Sequence, residues 1–230
     1  MSHFSVAVIT KQGQTVDELL EPFDEEKVVD KYVKYTRQQA IDYVRNHYKK
    51  FSDRSDDECW HYLADDEDML DAEGNIYSTQ NPQSKWDWYV VGGRWSDSLK
   101  VGTERLDSAK IKDIDFSDDM DVYEEALRFW DSCVDHKEAS DGKRRISLYT
   151  EDYYREYYGN RETYAHQQAQ FSTYAVITPD GIWHAPGEMG WFGVSSEDKE
   201  EFRDWYDHYK ERFIDASDGE WTLTVVDCHI

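Results

Sequence analysis

Residues 85–95 read Lys-Trp-Asp-Trp-Tyr-Val-Val-Gly-Gly-Arg-Trp. In an extended chain Trp86, Trp88 and Val90 face one side, and Asp87, Tyr89 and Val91 the other. Gly92 and Gly93 let the backbone bend, or approach a ligand closely with its amides exposed. Arg94 stands just past that bend with a planar fork suited to phosphate or carboxylate. The chemistry such residues could do is nucleotide binding: Trp86 or Trp88 stacks a base, with Tyr89 and Trp95 beside them, while Arg94 and the amides of Gly92 and Gly93 hold phosphate. The bland alternative is a core strand ending in a glycine turn, with Arg94 paired to an acid.

Two further passages carry unusual residues. Residues 183–193, Trp-His-Ala-Pro-Gly-Glu-Met-Gly-Trp-Phe-Gly, form a loop with more apolar surface than a solvated loop holds. Either it plugs the core, or His184, Met189, Gly190, Trp191 and Phe192 wall a pocket. At the C-terminus, Asp227 and His229 project to one side of an extended segment and Cys228 to the other. A His–Asp pair invites acid–base chemistry or a metal site. The other imidazoles, His3 included, are dispersed, and no His-x-x-x-His, Cys-x-x-Cys, Gly-x-Ser-x-Gly or phosphate-loop pattern accompanies them. A satisfied structural His229 outweighs a metal held by His184, Asp227 and His229. No cofactor or metal is expected.

The Lys-Trp-Asp-Trp-Tyr-x-x-Gly-Gly-Arg-Trp string, the Met-Gly-Trp-Phe-Gly loop and the Thr-Val-Val-Asp-Cys-His-Ile ending resemble a largely uncharacterised family widespread in phages and bacteria. The resemblance covers residues 81–97 and 171–230. It implies one shared site built by the aromatic–glycine segments, and a phage setting. It brings no catalytic residue.

The elements that must position these residues are legible in part. Residues 4–10 read as a buried strand, and Thr36 opens a helix with Ala40, Ile41, Val44, Tyr48 and Phe51 on one face. A short strand is expected over Cys59–Leu63 within an acidic loop, and another over Trp86–Val91. A helix carries Met120, Tyr123, Leu127, Trp130 and Val134; residues 149–164 are left unassigned. Phe171–Thr178, a Pro179-Asp180-Gly181 turn and Ile182–His184 form a hairpin. Ser195 is expected to cap a helix burying Phe202, Trp205, Tyr206, Tyr209 and Phe213. Trp221–Cys228 is a final strand. Ala7-Val8-Ile9-Thr10 recurs as Ala175-Val176-Ile177-Thr178, through duplication of a β-α-β unit or through chance between two buried strands. The order suits a single α+β domain over 1–230, an antiparallel or mixed sheet with helices on one face, in a ferredoxin-like version. Acidic insertions fall at 53–73 and 113–125.

The 230 residues hold 26 basic and 50 acidic side chains, a formal net charge of −24. That balance argues against direct binding to nucleic acid or anionic lipid. Nine Trp, 17 Tyr and nine Phe against nine Leu make a ring-built core. Three scattered Cys and the lack of a long apolar run predict a soluble cytoplasmic protein (host cytoplasm, if phage-encoded).

Three functions follow. The first is a phage-type immune-evasion protein that sequesters a small nucleotide signal without cleaving it, as a homodimer. The second is an acidic DNA mimic or inhibitor that docks on a basic host protein such as a defence nuclease. The third is a nucleotide phosphodiesterase-like hydrolase using His184 or His229, with Asp227 as orienter. Replacing Arg94 should abolish the first and spare the second; neutralising Asp113, Asp115, Asp118 and Asp119 should do the reverse.

Overall fold

The computed structural model describes residues 2–64, 69–190 and 194–230. The chain forms two compact units, one of Met1–Pro22 with Lys85–Ile230 and one of Phe23–Ser84. In chain order, the first stretch holds β1 (His3–Thr10) and α1 (Val16–Leu20). Next come β2 (Tyr32–Tyr35), α2 (Arg37–His47), α3 (Asp56–Ala64) and β3 (Ile76–Ser78) of the smaller unit. The larger unit resumes with β4 (Trp88–Val91), β5 (Leu99–Val101), β6 (Glu104–Leu106) and β7 (Ser108–Lys110). It ends with α4 (Met120–Cys133), α5 (Glu151–Tyr158), α6 (Arg161–Ala169), β8 (Ala175–Ile177), β9 (Trp183–His184), α7 (Lys199–Tyr209) and β10 (Thr222–His229).

The main sheet is mixed, in the order β4-β10-β1-β8-β9, so the fold is α+β as its sequence predicts. β1 and β10 are rich in β-branched residues and buried along nearly their whole length, as central strands covered on both faces must be. They pair antiparallel from His3↔His229 to Thr10↔Thr222. On the other edge of β1, β8 runs parallel, with Val6 opposite Ala175 and Ala7 opposite Val176. The two Ala-Val-Ile segments are thus neighbours at the sheet centre. That parallel pairing departs from the alternating directions of a ferredoxin-like sheet, because the chain reaches β8 through helices instead of a hairpin. β4 and β7 share the outer edge of β10, meeting its Val226–His229 and Thr222–Thr224 stretches respectively. Between them, Val225 bonds through its N–H to Asp107 O and through its carbonyl to Gly92 N.

Rings do build the core. Trp205, Tyr209 and Phe213 of α7 and its continuing π-helical turn lie on Ala7, Ile9, Val176, Leu223 and Val225. The polar ends are satisfied: Trp205 Nε1 donates to Thr173 O (3.0 Å), and the Tyr209 and Thr173 hydroxyls meet at 2.7 Å. Trp130 of α4 packs with Tyr154 and Tyr164, which lie in the stretch 149–164 that forms α5 and α6. In the smaller unit, Ala40, Ile41 and Val44 of α2 are buried, while Tyr48 and Phe51 follow the helix end.

Two local expectations are corrected. Cys59–Leu63 is helical, within α3. Glu58 N donates to Ser55 Oγ (3.3 Å) and Ser55 N to Glu58 Oε2 (3.0 Å), a reciprocal cap that nucleates a helix where a short apolar run had suggested a strand. The cap of α7 is Asp198, not Ser195: Glu201 N donates to Asp198 Oδ1 (2.9 Å) and Asp198 N to Glu201 Oε2 (2.8 Å). This box sets two acids in the first turn, where the helix dipole favours them. The Ser195 hydroxyl instead lies 2.7 Å from that of Tyr174.

The acidic stretches carry local partners. Asp56, Asp57 and Glu58 pair with Arg45, Arg37 and Arg54. Asp119 caps α4 and pairs with Arg105 (2.6 Å), Asp118 meets His166 (2.6 Å), and Glu125 meets Arg145 (2.7 Å). Among the described residues, no helix is long and apolar enough to cross a membrane.

Candidate functional site

The register of β1 against β10 places His3 directly opposite His229. Asp227, two residues before His229, therefore emerges on the same face, and β4 brings Trp88 opposite His229 on the other side. The result is a pair of histidine–carboxylate contacts in one cluster. His3 Nδ1 lies 2.8 Å from Asp227 Oδ1, and His229 Nδ1 lies 2.6 Å from Asp87 Oδ1. The two ring centroids are 5.0 Å apart, edge to face. Trp88 stacks on His229 at 5.1 Å with 17° between planes, and meets the His3 ring edge-on at 5.3 Å. A carboxylate only accepts, so each Nδ1 is a donor; in the neutral ring Nε2 is left as an acceptor, and in the imidazolium as a donor.

Asp227 is 2 % exposed and uses both oxygens, since Oδ2 accepts the Arg94 N–H at 3.0 Å. The glycine pair makes this possible. Gly93 sits at φ +56°, and a Cβ there would lie 2.5 Å from Asp227 Cβ. Gly92, at φ +72°, lies against the Asp107 carboxylate, which would stand 2.5 Å from an added Cβ. The close approach that two glycines permit is thus to carboxylates of the protein itself. The Gly92 amide donates to Val225 O (2.9 Å), so it is not free for phosphate.

The other expected residues divide. Trp86 is a core residue: it precedes β4, is buried, and donates Nε1–H to Leu20 O at 3.2 Å. Tyr89 bonds through its hydroxyl to Asp17. Trp88 is 44 % exposed and remains a surface for stacking. The Arg94 side chain is exposed and has no ion-pair partner among the described residues, so the bland salt-bridge reading does not hold there. Gly190 is tied down, its carbonyl accepting Ser2 Oγ (3.1 Å) and its N–H donating to Val194 O (2.8 Å). Trp191 and Phe192 lie outside the described residues.

Trp95 and Met189, one from each aromatic–glycine passage, meet at a cavity of about 380 Å³ that His3 also lines. Its wall carries Tyr158, Tyr174, Phe202 and Tyr206, with Gln167, Gln168 and Gln170. Burial pushes the Tyr174 and Tyr206 hydroxyls up to about 12, so both stay neutral at physiological pH.

His184 stands in a different wall, that of a cavity of about 570 Å³ shared with Arg212 and Asp204. Its Nε2 is 3.2 Å from the Thr178 hydroxyl, and its ring is 5.3 Å from Phe213. Asp227 orients His3, while the orienter of His229 is Asp87, which reverses the pairing expected from sequence spacing. Among the described residues, no group of three or more His, Cys, Asp or Glu could hold a metal.

Burial holds the His184 imidazole below its usual 6.5, so an unfolded chain binds the proton first as pH falls. Stability from this residue is whole above 6.5 and declines as the pH drops from there through the folded value. His184→Gln should therefore flatten the loss of denaturation midpoint below pH 6.5. An unchanged pH profile would refute the assignment.

His3, Asp87 and Gln167 were missed as site residues in the sequence. For His3 the signal existed: a strand opening with His and a strand closing with Asp-x-His, if paired antiparallel at the chain ends, bring those groups together. Comparison of the chain with protein-family models, curated proteins and solved structures finds no match.

Proposed function

We propose that the chain binds and sequesters a small nucleotide signal, an immune-evasion role of the phage type expected from its sequence. The observation that supports it is the meeting of Trp95, Met189 and His3 at one ring- and amide-lined cavity of about 380 Å³, within the range of small-ligand sites, roughly 300–1,000 Å³. Its rings suit a base, His3 lines it, and Arg94, next in sequence to the lining Trp95 but not itself in the wall, is the exposed guanidinium assigned to phosphate, with no ion-pair partner among the described residues. The −24 field slows an anion's approach more than it weakens local contacts, which ionic screening leaves intact.

The test is calorimetric titration with mononucleotides and cyclic nucleotides, then heat denaturation and recovery of the ligand. Intact ligand is expected. Arg94→Ala should weaken binding about 10- to 100-fold through loss of a charge-assisted bond, and change stability by less than about 0.5 kcal/mol, since its side chain is exposed and has no ion-pair partner among the described residues. Unaltered affinity would remove Arg94 from the site.

A hydrolytic reading is favoured by the two adjoining histidine–carboxylate contacts. In it a neutral imidazole takes a proton from the attacking water while an imidazolium gives one to the departing oxygen of a phosphoester. Recovery of cleaved product would select it. The acidic-mimic alternative has weaker support, because many carboxylates of both acidic stretches already bind Arg, His or backbone N–H groups.

A further inference from the structure

We infer that residues 143–152 form the centre of a two-fold interface with a second copy of the chain, apolar in the middle and of opposite charge at its two ends. The role of this surface does not depend on what the cavity beside His3 binds.

The segment reads Lys-Arg-Arg-Ile-Ser-Leu-Tyr-Thr-Glu-Asp. At its middle, polar side chains are turned inward and apolar ones outward, the reverse of the usual surface pattern. Arg145 has a side chain only 8 % exposed, held by Glu125 (Nε to Oε1, 2.7 Å) and Asp141 (Nη2 to Oδ2, 2.8 Å). The Ser147 oxygen lies 3.1 Å from the hydroxyl of Tyr154, a buried member of the Trp130 cluster, and accepts the Tyr149 N–H at 3.1 Å. With those two residues tied down, Ile146 and Leu148 face solvent, 72 % and 90 % exposed. Tyr149 is exposed as well and stacks on Tyr153 at 4.2 Å. Beside Ile146, Val122, Ala126 and Phe129 of α4 wall a cavity of about 570 Å³. Charged and polar anchors thus hold apolar surface in water, and a contiguous display of that kind marks an association site.

Charge selects the occupant. Lys143 and Arg144 make one end of the segment basic, while Glu151 and Asp152 at the start of α5 make the other acidic. All four are exposed; Glu151 meets His136 Nε2 at 2.5 Å, and the other three have no ion pair among the described residues. Such a segment is its own complement. A two-fold axis between Ser147 and Leu148 brings Lys143 and Arg144 of each copy to the partner's Glu151 and Asp152, with the apolar residues gathered between them. The −24 charge of each copy opposes self-association in general, but screening over about 8 Å leaves the nearest charges to decide, and at this face those are of opposite sign.

The experiment is sedimentation velocity of the full chain over roughly 1 μM to 1 mM, the span of weak to moderate affinities. A monomer–dimer equilibrium is expected. Leu148→Asp should weaken it about 10- to 100-fold, the equivalent of one apolar side chain left unburied. Its circular dichroism should be unchanged, since that side chain is exposed in the single chain. Two charge-reversed chains test the pairing, one with Lys143→Glu and Arg144→Glu, the other with Glu151→Lys and Asp152→Lys. Each alone should be monomeric, because like charges then meet across the axis. Mixed in equal amounts they should form a heterodimer, because every reversed pair again meets its opposite. That recovery also shows that both chains are folded.

A wild type that stays monomeric throughout, or that builds an open series of larger species, would overturn the inference. So would a dimer that Leu148→Asp leaves intact, or folded charge-reversed chains that stay apart on mixing.

Discussion

Asp227→Ala is expected to destabilise the folded chain by about 2 kcal/mol, since it leaves two part-buried donors without their acceptor. The carboxylate holds the His3 ring at 2.8 Å and the Arg94 amide at 3.0 Å. Both lie at the seam where β1, β10 and the glycine turn meet, and Asp227 itself is almost wholly buried. Denaturant titration of wild type and variant measures the difference. Asp227→Asn separates the roles. One end of the amide can still accept from Arg94, but its NH₂ faces His3 Nδ1, which must then accept, so the proton moves to Nε2. The expected stability loss is smaller, about 1 kcal/mol, while the nitrogen chemical shifts of His3 should report the other tautomer. An alanine variant as stable as wild type would show that Asp227 does not organise this seam.

Gly93→Ala is expected to cost a further large amount, about 3 kcal/mol, by two separable routes. The residue sits at φ +56°, where an L side chain costs about 1–2 kcal/mol. The new methyl would also stand 2.5 Å from Asp227 Cβ and 2.8 Å from Val90 Cγ1, and overpacking of this kind adds about 1–3 kcal/mol. Asp227 Cβ is the rigid root of its side chain, so the strain cannot be shed by a rotamer change. Gly13→Ala is the control: its φ is +88° and nothing lies within 4 Å of the added Cβ, so only the conformational cost remains. Equal losses at the two positions would refute the contact argument. Because displacement of Asp227 also frees the His3 ring, Gly93→Ala should also weaken the proposed nucleotide binding, measured in the same titration used for Arg94.

The glycine pair shows how a close approach can be read from sequence while the group that makes it cannot. Two glycines before an arginine announce a close approach to backbone, and such an approach exists. What approaches are the carboxylates of Asp107 and Asp227, since β10 and the segment before β7 lie there. Trp86 and Trp88, two residues apart, differ for a similar reason. One is buried with its indole bonded to Leu20, and the other stacks on His229 near the surface. Strand alternation places them on one side only if both belong to the strand, and Trp86 comes before it.

Local chemistry was enough to specify several elements. The β-branched runs of β1 and β10, the turn at Gly181, the helix opened by Thr36 and the aromatic stripe of α7 all follow from residue type and spacing, because propensity, capping and burial periodicity act over a few residues. The ring-built core was equally implicit in a composition poor in leucine. The meeting of His3 with His229, and of each with its own carboxylate, was decided by the tertiary structure alone. It depends on the antiparallel register of the first and last strands, where a slip of one residue would turn Asp227 and His229 to the opposite face. The contact of Gln167 on α6 with Asp207 on α7, at 3.1 Å, was likewise decided by packing. Contacts between residues distant in sequence are set by how elements pack, and that packing is a property of the whole chain.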